Sequence, residues 1–293
     1  MKELIEKADV LLEALPYIQR FRNSTFVIKY GGSFMDSPDP KIRNGVAADI
    51  VFLEACGINP IVVHGGGKAI TRGMDAAGLK AEFVMGMRVT DEASMKIVED
   101  VLDLVINRDI VETIQKLGGK ARGFSGKQIF RCEKLELTDP STSLRVNLGY
   151  VGDITEVDTT KVRTCLRRST TPVISPIALG GKDRHAYNVN ADLAAAQLAA
   201  AIGARRLIFM SDVPGLLQDV NDQKSLISHL SINDVTAFKK SGVIDKGMIP
   251  KVQSAVEAIN AGVHRVHFID GRIPHSLLLE FFTDKGIGTE IVK

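Results

Sequence analysis

The sequence predicts an α/β fold in which helices cover a mainly parallel sheet. Short apolar runs recur along the chain at 26–28, 60–63, 172–174, 207–210 and 266–269. Stretches of helical character lie between them, at 41–56, 93–117, 192–202 and 248–261. An order that alternates strand and helix is typical of parallel strands joined by crossover helices.

The first 24 residues predict a separate N-terminal helix. Its apolar stripe consists of Leu4, Ala8, Leu11, Leu15 and Ile18, at the spacing of an amphipathic helix. Pro16 falls inside this stripe and is expected to kink or end the helix.

The rest of the chain predicts two lobes that share one continuous sheet, since no Pro/Ser-rich linker and no internal repeat divides it. We place the division near residue 180, which gives lobes of residues 25–180 and 181–293. Residues 128–155 alternate polar and β-branched types, with turn signals at Asp139-Pro140 and Gly149. They predict an antiparallel hairpin region on an edge or rim.

Composition excludes several classes of protein. Hydrophobic residues make up 45% of the 293 and charged residues 25%, as in soluble globular proteins. The net charge of +2 is too small for a protein that coats nucleic acid. Cys56, Cys132 and Cys165 lie far apart, so we expect neither a disulfide framework nor a structural metal. Acidic residues interrupt the N-terminal segment and no apolar run reaches membrane length, which predicts a cytoplasmic location without membrane contact.

Three glycine-rich turns follow predicted strands. They contain Gly31-Gly32, Gly65-Gly66-Gly67 and Gly180-Gly181. At the carboxyl ends of strands, glycine lets backbone N–H groups approach an anion closely. Any one of these turns could be a plain strand-to-helix connection, but three together favour phosphate or carboxylate binding. The common nucleotide fingerprints GxxxxGK[ST] and GxGxxG are absent from the sequence.

Two lysines stand in unusual positions. Lys29 ends an apolar strand directly before the first glycine pair, although a basic residue there is most often simply solvated. Lys251 lies in the first turn of a predicted helix, where a cation is unfavourable unless an anion is bound. His64 precedes the glycine triplet but has no Ser or Cys partner in a nucleophile motif, so we assign it a mainly structural role.

Further polar candidates lie near predicted helix starts. Asn188, Asn190 and Asp192 alternate, so an extended backbone would point them to one side, although Asn190 or Asp192 could simply cap the helix. Arg88 precedes Thr90-Asp91 and could clamp a carboxylate, although a surface arginine is the commoner case.

The order of these motifs resembles that of the acetylglutamate kinases, within the amino-acid kinase family. The resemblance extends over nearly the whole chain and rests on FVIKYGG, IVVHGGGKAI, GMRVTD, SGK, YNVNADLAAA, SDVPGLL, GVIDKGMIPKV and VHFIDGRIPHSLLLEFFTDKGIGT. It implies an open αβα sandwich on a mainly parallel sheet, with the amino-acid substrate on the N-terminal lobe and ATP on the C-terminal lobe.

The resemblance also implies roles for individual residues. Lys29, Asp192 and Lys251 would be catalytic, with the carboxylate organising the two lysines. The acceptor would be held by Gly66, Gly67, Arg88, Asn188 and Asn190. The nucleotide would be bound by Gly31, Gly32, Asp212, Gly215, Leu217 and Met248.

The implied reaction is phosphorylation of the γ-carboxylate of N-acetyl-L-glutamate by ATP, an early step of arginine biosynthesis. The acceptor is already an anion at neutral pH, so no general base is needed, in agreement with the lack of a Ser, Cys or His catalytic constellation. Mg²⁺ would arrive with ATP, with no resident metal site.

In arginine-inhibited members of the family, a kinked N-terminal helix joins dimers into a hexamer, a trimer of dimers. The segment Leu15-Pro16-Tyr17-Ile18 resembles that helix, which implies feedback by arginine. The implied effector residues are Tyr17, His267, Glu280, Gly286 and Gly288. The apolar stripe could instead pack on its own subunit. Some relatives bind a PII-type signalling protein, and the sequence does not decide this point.

Two alternatives remain open on the residues alone. One is a kinase for a related acyl-amino acid such as an aminoadipate derivative, since one methylene discriminates by only about 10- to 200-fold. The other is a catalytically silent arginine sensor, against which the presence of Lys29, Asp192 and Lys251 argues.

Overall fold

The computed structural model describes residues 1–37, 39–138, 143–244 and 247–293. The helices are α1 (Lys2–Phe21), α2 (Pro40–Ala55), α3 (Gly67–Ala76), α4 (Glu92–Glu99), α5 (Asn107–Lys116), α6 (Thr160–Leu166), α7 (Ala191–Ile202), α8 (Val235–Lys240), α9 (Ile249–Asn260) and α10 (Ser276–Phe281). The first eight strands are β1 (Thr25–Tyr30), β2 (Asn59–His64), β3 (Phe83–Val84), β4 (Met87–Arg88), β5 (Ala121–Phe124), β6 (Phe130–Lys134), β7 (Leu137–Thr138) and β8 (Arg145–Val146). They are followed by β9 (Gly152–Val157), β10 (Thr171–Ile174), β11 (Ile177–Gly180), β12 (Ala186–Asn188), β13 (Arg206–Ser211), β14 (His229–Ser231), β15 (Arg265–Asp270) and β16 (Thr289–Val292).

One eight-stranded sheet runs through the protein in the order β14-β16-β15-β13-β1-β2-β10-β5. Its pairs are parallel except for β15 with β16, which confirms the predicted α/β fold with a mainly parallel sheet. The sheet contains strands from both sides of residue 180. β1 lies at its centre between β2 and β13, so the turns that follow β1 and β2 lie side by side.

The two faces of this sheet carry separate cores. On β1, Val27 packs into a cluster with the alanines of α7 and with α9, whereas Phe26 and Ile28 pack into a second cluster with α2. This alternation follows from the two-residue period of a strand, and it places a helical layer on each face.

Residues 128–155 contribute to a second sheet. In it β6 pairs antiparallel with β9, as predicted, and the sheet is completed by β11 and β12. Gly149 adopts a left-handed φ of 74°, in agreement with the predicted turn there, and Asp139-Pro140 lies outside the described residues.

Two local expectations need correction or refinement. Pro16 does not end the N-terminal helix, since α1 continues to Phe21. The stretch 93–117 is helical, but a π-helical segment, Asp100–Ile106, separates α4 from α5. Among the described residues, no helix is both long enough and apolar enough to cross a bilayer.

Candidate active site

The centre of the site is a carboxylate between two ammonium groups. Lys29 Nζ lies 3.0 Å from Asp192 Oδ1, and Lys251 Nζ donates a hydrogen bond of 2.8 Å to Asp192 Oδ2. Lys29 comes from β1, Asp192 from the first turn of α7 and Lys251 from the first turn of α9. A cation in the first turn of a helix needs a nearby anion, and for Lys251 that anion is the Asp192 carboxylate.

Burial and the neighbouring charges shift the pKa values of Lys29 and Asp192. Desolvation lowers the pKa of Lys29, with a further contribution from the like charge of Lys251, while Asp192 opposes the shift. Burial alone would raise the pKa of Asp192, but the two lysines outweigh it and lower that pKa. Asp192 is thus held as a carboxylate with a positive charge on each side.

Two of the three glycine turns meet beside Lys29. A Cβ atom on Gly31 would lie 3.0 Å from Lys29 Nζ and 3.4 Å from Gly65 Cα, so a side chain there would crowd the Lys29 ammonium group. The Gly65 N–H donates to Tyr30 O at 2.7 Å, which fixes one turn against the other. The third turn does not join them, because Gly180-Gly181 lines a different cavity beside the second sheet.

A cavity of about 330 Å³ opens next to the lysine pair. Its lining includes the predicted acceptor residues Gly66, Gly67, Arg88, Asn188 and Asn190, together with Lys29, Gly31, Gly32 and Asp192. Asn190 also caps α7, since its Oδ1 accepts from the N–H groups of Asp192 at 2.8 Å and Leu193 at 3.2 Å. The capping interpretation and the same-side prediction for Asn188, Asn190 and Asp192 are therefore compatible.

The Arg88 guanidinium is held by neighbouring groups of the protein. It donates to Gly67 O at 3.0 Å and to Thr71 Oγ1 at 2.8 Å, and it lies 4.7 Å from the centre of the Phe83 ring. Burial lowers its pKa from the ordinary value. Asp91 caps α4 by accepting from the Ser94 N–H at 2.8 Å.

A second cavity, of about 660 Å³, lies beyond the carboxyl end of β13. Asp212, Gly215, Leu217 and Met248, four of the predicted nucleotide-binding residues, line it. Asp212 accepts from the Ser33 N–H with both carboxylate oxygens, at 2.7 and 2.9 Å. Since Ser33 follows Gly32 directly, this contact ties the second cavity to the glycine turn beside Lys29.

A third cavity, of about 560 Å³, lies between α1 and α10 and brings together Tyr17, His267, Glu280, Gly286 and Gly288. Glu280 accepts from His267 Nδ1 at 2.7 Å and from the Gly288 N–H at 2.9 Å. The Tyr17 hydroxyl bonds to Asp284. Burial, with Arg265 nearby, lowers the pKa of Arg206 in the same wall to about 10, while Glu290 opposes the shift.

Local sequence pattern does not predict several residues of the site. Thr71 and Phe83 hold Arg88, and Ser33 contacts Asp212; only contacts across the fold identify them. Within the described part of the chain, no group of three His, Cys, Asp or Glu side chains is placed to hold a metal ion.

The site lies at the carboxyl ends of parallel strands, and ammonium groups, a guanidinium and glycine turns line its cavities. Such a site can bring anionic groups together, as phosphoryl transfer requires. The chain belongs to the amino acid kinase family, whose model matches residues 24–270. It is an enzyme of the kinase class.

Individual relatives narrow this class. The acetylglutamate kinase of Heliobacterium modesticaldum is 47% identical over the full length of both chains. That of Methanocaldococcus jannaschii is also 47% identical, over 100% of this chain and 98% of the other. The structure of N-acetylglutamate synthase from Neisseria gonorrhoeae superposes with a TM-score of 0.83 at 26% identity, covering 98% of this chain and 63% of that longer one.

Proposed function

We propose that the protein transfers the γ-phosphoryl group of ATP to the side-chain carboxylate of N-acetyl-L-glutamate. The observation that carries the proposal is the Lys29–Asp192–Lys251 group, with two short ionic contacts, beside a cavity of about 330 Å³ that Lys29 and Asp192 line. The full-length relatives named acetylglutamate kinase support the choice of acceptor.

The acceptor is assigned to the cavity beside Lys29. Arg88 would pair with a carboxylate of the substrate through guanidinium N–H groups, and Asn188 and Asn190 would supply amide groups. Gly66 and Gly67 would offer backbone N–H donors to the oxygens that gather charge. Held this way, the side-chain carboxylate faces Lys29.

The nucleotide is assigned to the cavity beyond β13. Gly215, Leu217 and Met248 would surround the nucleoside, while Gly31 and Gly32 would contact the phosphates. ATP would arrive as its Mg²⁺ complex, and the metal would supply positive charge next to the phosphates. Asp212 would join the two regions through its contact with Ser33.

The reaction is an in-line displacement. An acceptor carboxylate oxygen forms a bond to the γ-phosphorus, and the bond from that phosphorus to the β,γ-bridging oxygen breaks, releasing ADP. No proton is transferred, so the enzyme's task is electrostatic. Lys29 and Lys251 would stabilise charge on the transferring group, with Asp192 fixing the spacing of their ammonium groups.

We further propose that the third cavity binds arginine as a feedback inhibitor. It offers carboxylates, among them Glu280, for a guanidinium and cations such as Arg206 for an α-carboxylate. The exposure of Leu4, Leu11 and Leu15, at 63%, 70% and 44%, supports assembly through α1 into a hexamer and argues against packing of this stripe on its own subunit. Titration of arginine against the initial rate tests the effector site.

The decisive experiment traps the acyl phosphate as its hydroxamate in the presence of ATP and Mg²⁺. N-acetylglutamate, glutamate, aspartate and acetyl-aminoadipate are compared at equal concentration. We expect turnover mainly with N-acetylglutamate, lost in Lys29→Ala. A higher rate with acetyl-aminoadipate would favour the kinase for a longer acceptor. No turnover from folded protein that binds arginine would favour the silent sensor.

A further inference from the structure

A buried chain of hydrogen bonds leads to the glycine triplet from the neighbouring strand. The Asn107 amide nitrogen donates to Val173 O at 3.0 Å and lies 3.2 Å from His64 Nε2. His64 Nδ1 lies 3.0 Å from Gly65 O. His64 and Asn107 are 0% and 5% exposed, so water does not compete for these groups.

The backbone carbonyls at the two ends of this hydrogen-bond series determine which nitrogen atoms in it carry the protons. Val173 O can only accept, so the Asn107 group beside it is the NH₂, and its second N–H faces His64 Nε2. Nε2 therefore accepts, and the imidazole proton resides on Nδ1, which donates to Gly65 O. Burial lowers the pKa of His64 to about 4, so the ring is neutral near pH 7.

This arrangement orients the next peptide group. The structure contains no cis peptide bonds in its described residues, so the Gly65 C=O and the Gly66 N–H point in opposite directions. With the carbonyl directed at the buried His64, the Gly66 N–H faces away from the core, and Gly66 lines the cavity beside Lys29. The hydrogen bonds of the described residues include no protein acceptor for this N–H.

We propose that His64 is a positioning residue that aims the Gly66 N–H at the acceptor oxygen during phosphoryl transfer. The inference rests on the proposed function, in which Gly66 binds the acceptor. It replaces the mainly structural role that the sequence assigned to His64.

The surroundings of Gly66 agree with this role. A Cβ atom there would lie 2.6 Å from Leu102 Cδ2 and 2.7 Å from Ile106 Cδ1, both in the π-helical segment. The Gly65 N–H is fixed by its bond to Tyr30 O. Tyr30 therefore holds the turn on the β1 side, and Leu102 and Ile106 pack against it at Gly66. The bond from His64 to the Gly65 carbonyl then sets the rotation of the peptide group between Gly65 and Gly66.

The test compares two replacements of nearly equal shape. In His64→Asn the side-chain amide can place an N–H where Nδ1–H stood, whereas His64→Leu fills a similar volume without a donor. We expect His64→Leu to lower kcat about 10- to 100-fold, because a wrongly oriented Gly66 N–H would stabilise the transition state almost as poorly as a missing one. The KM for ATP should change little. His64→Asn should recover most of that loss.

Asn107→Ala is the matched control, because it removes the other hydrogen bond of the imidazole and leaves the bond to Gly65 possible. We expect it to lower the melting temperature but to keep most of kcat. If kcat follows the melting temperature in all three variants, or if the Asn and Leu replacements have the same kcat, His64 is only structural.

A measurement on the unmodified protein covers the case in which His64→Leu does not fold. In ¹⁵N-histidine-labelled enzyme, the signal assigned by its loss in His64→Asn should show a neutral ring protonated on Nδ1. A proton on Nε2 would overturn the inference. The unmodified enzyme must first convert N-acetylglutamate, so failure of the proposed function is seen separately, before any variant is compared.

Discussion

At the scale of single residues, Asp192 is the group on which the site depends most. Each of its two carboxylate oxygens makes an ionic contact with one of the two lysines, and its side chain is mostly buried. Without its negative charge, two ammonium groups would remain close together in a region from which water is largely removed, and their mutual repulsion would separate them or favour loss of a proton.

Asp192→Asn should therefore lower kcat for acyl-phosphate formation by about 10²- to 10³-fold, the range for loss of a preorganised electrostatic group. The hydroxamate assay measures it. Asp158→Asn, which makes the same chemical change at an exposed carboxylate bonded to the Thr160 N–H, is the control and should stay near the unmodified rate. Equal rates for the two variants would remove Asp192 from the mechanism.

His64 should make stability depend on pH. Its pKa is about 4 in the folded protein and 6.5 unfolded, so the unfolded chain binds the proton more readily. Stability is then full above pH 6.5 and falls as the pH drops toward 4. Between pH 7 and pH 5 the loss amounts to about 2 kcal/mol.

Urea unfolding at pH 7 and pH 5 tests this loss. The contribution of His64 is the difference between the unmodified protein and His64→Asn. That difference removes the opposite contribution of Asp49, whose pKa burial raises to about 6 and which stabilises the fold as the pH falls. A variant with the same pH dependence as the unmodified protein would contradict a buried neutral imidazole.

At the scale of elements, the start of α7 combines a structural task with a chemical one. Asn190 Oδ1 satisfies two N–H groups of the first turn, one of them that of Asp192. The cap therefore fixes the backbone that carries the central carboxylate. At the same time Asn190 lines the cavity beside Lys29, the proposed acceptor site.

Replacements at Asn190 should separate the two tasks. Asn190→Ser keeps a capping oxygen, so its free energy of unfolding should stay close to that of the unmodified protein, whereas Asn190→Ala should lose about 1 kcal/mol. Both remove the amide, so both should raise KM for N-acetylglutamate. Chemical denaturation and steady-state kinetics measure the two effects. If KM rises only in the Ala variant, Asn190 acts as a helix cap and does not bind the acceptor.

Local pattern predicted most elements of this fold. The apolar runs at 26–28 and 60–63 lie within β1 and β2, because a strand buried on both faces requires continuous apolar residues. The π-helical segment was missed, since no glycine or proline interrupts 93–117. Its widened turn is accompanied by contacts from elsewhere in the chain, including the bond from Ser175 to Asp103.

The candidate site was predictable only in part, for the same physical reason. Lys29 and Lys251 were each conspicuous in their local context, one at a strand end and one at a helix start. That both meet Asp192 depends on how the fold places β1, α7 and α9 next to one another. The link from Asn107 to His64 joins residues 43 positions apart and has no local signal.

At the scale of the whole molecule, the exposed face of α1 is the feature that a single chain does not explain. Leu4, Leu11 and Leu15 lie on one stripe and remain exposed, while Tyr17 further along the helix packs toward Phe282 and bonds to Asp284. The helix is therefore anchored at its C-terminal end and presents its apolar N-terminal part outward, as a helix that joins two subunits would.

In the hexamer proposed above, Leu11→Lys should reduce the size of the assembly, because it places an ammonium group in the middle of this stripe. Glu13→Gln is the control: it changes the net charge by the same +1 on the opposite side of the helix and should leave the assembly intact. Sedimentation velocity at several protein concentrations measures both. Since the proposed catalytic residues belong to β1, α7 and α9 and not to α1, Leu11→Lys should keep its turnover with N-acetylglutamate while arginine inhibits it less. An unchanged sedimentation coefficient would mean that the stripe does not hold the oligomer together.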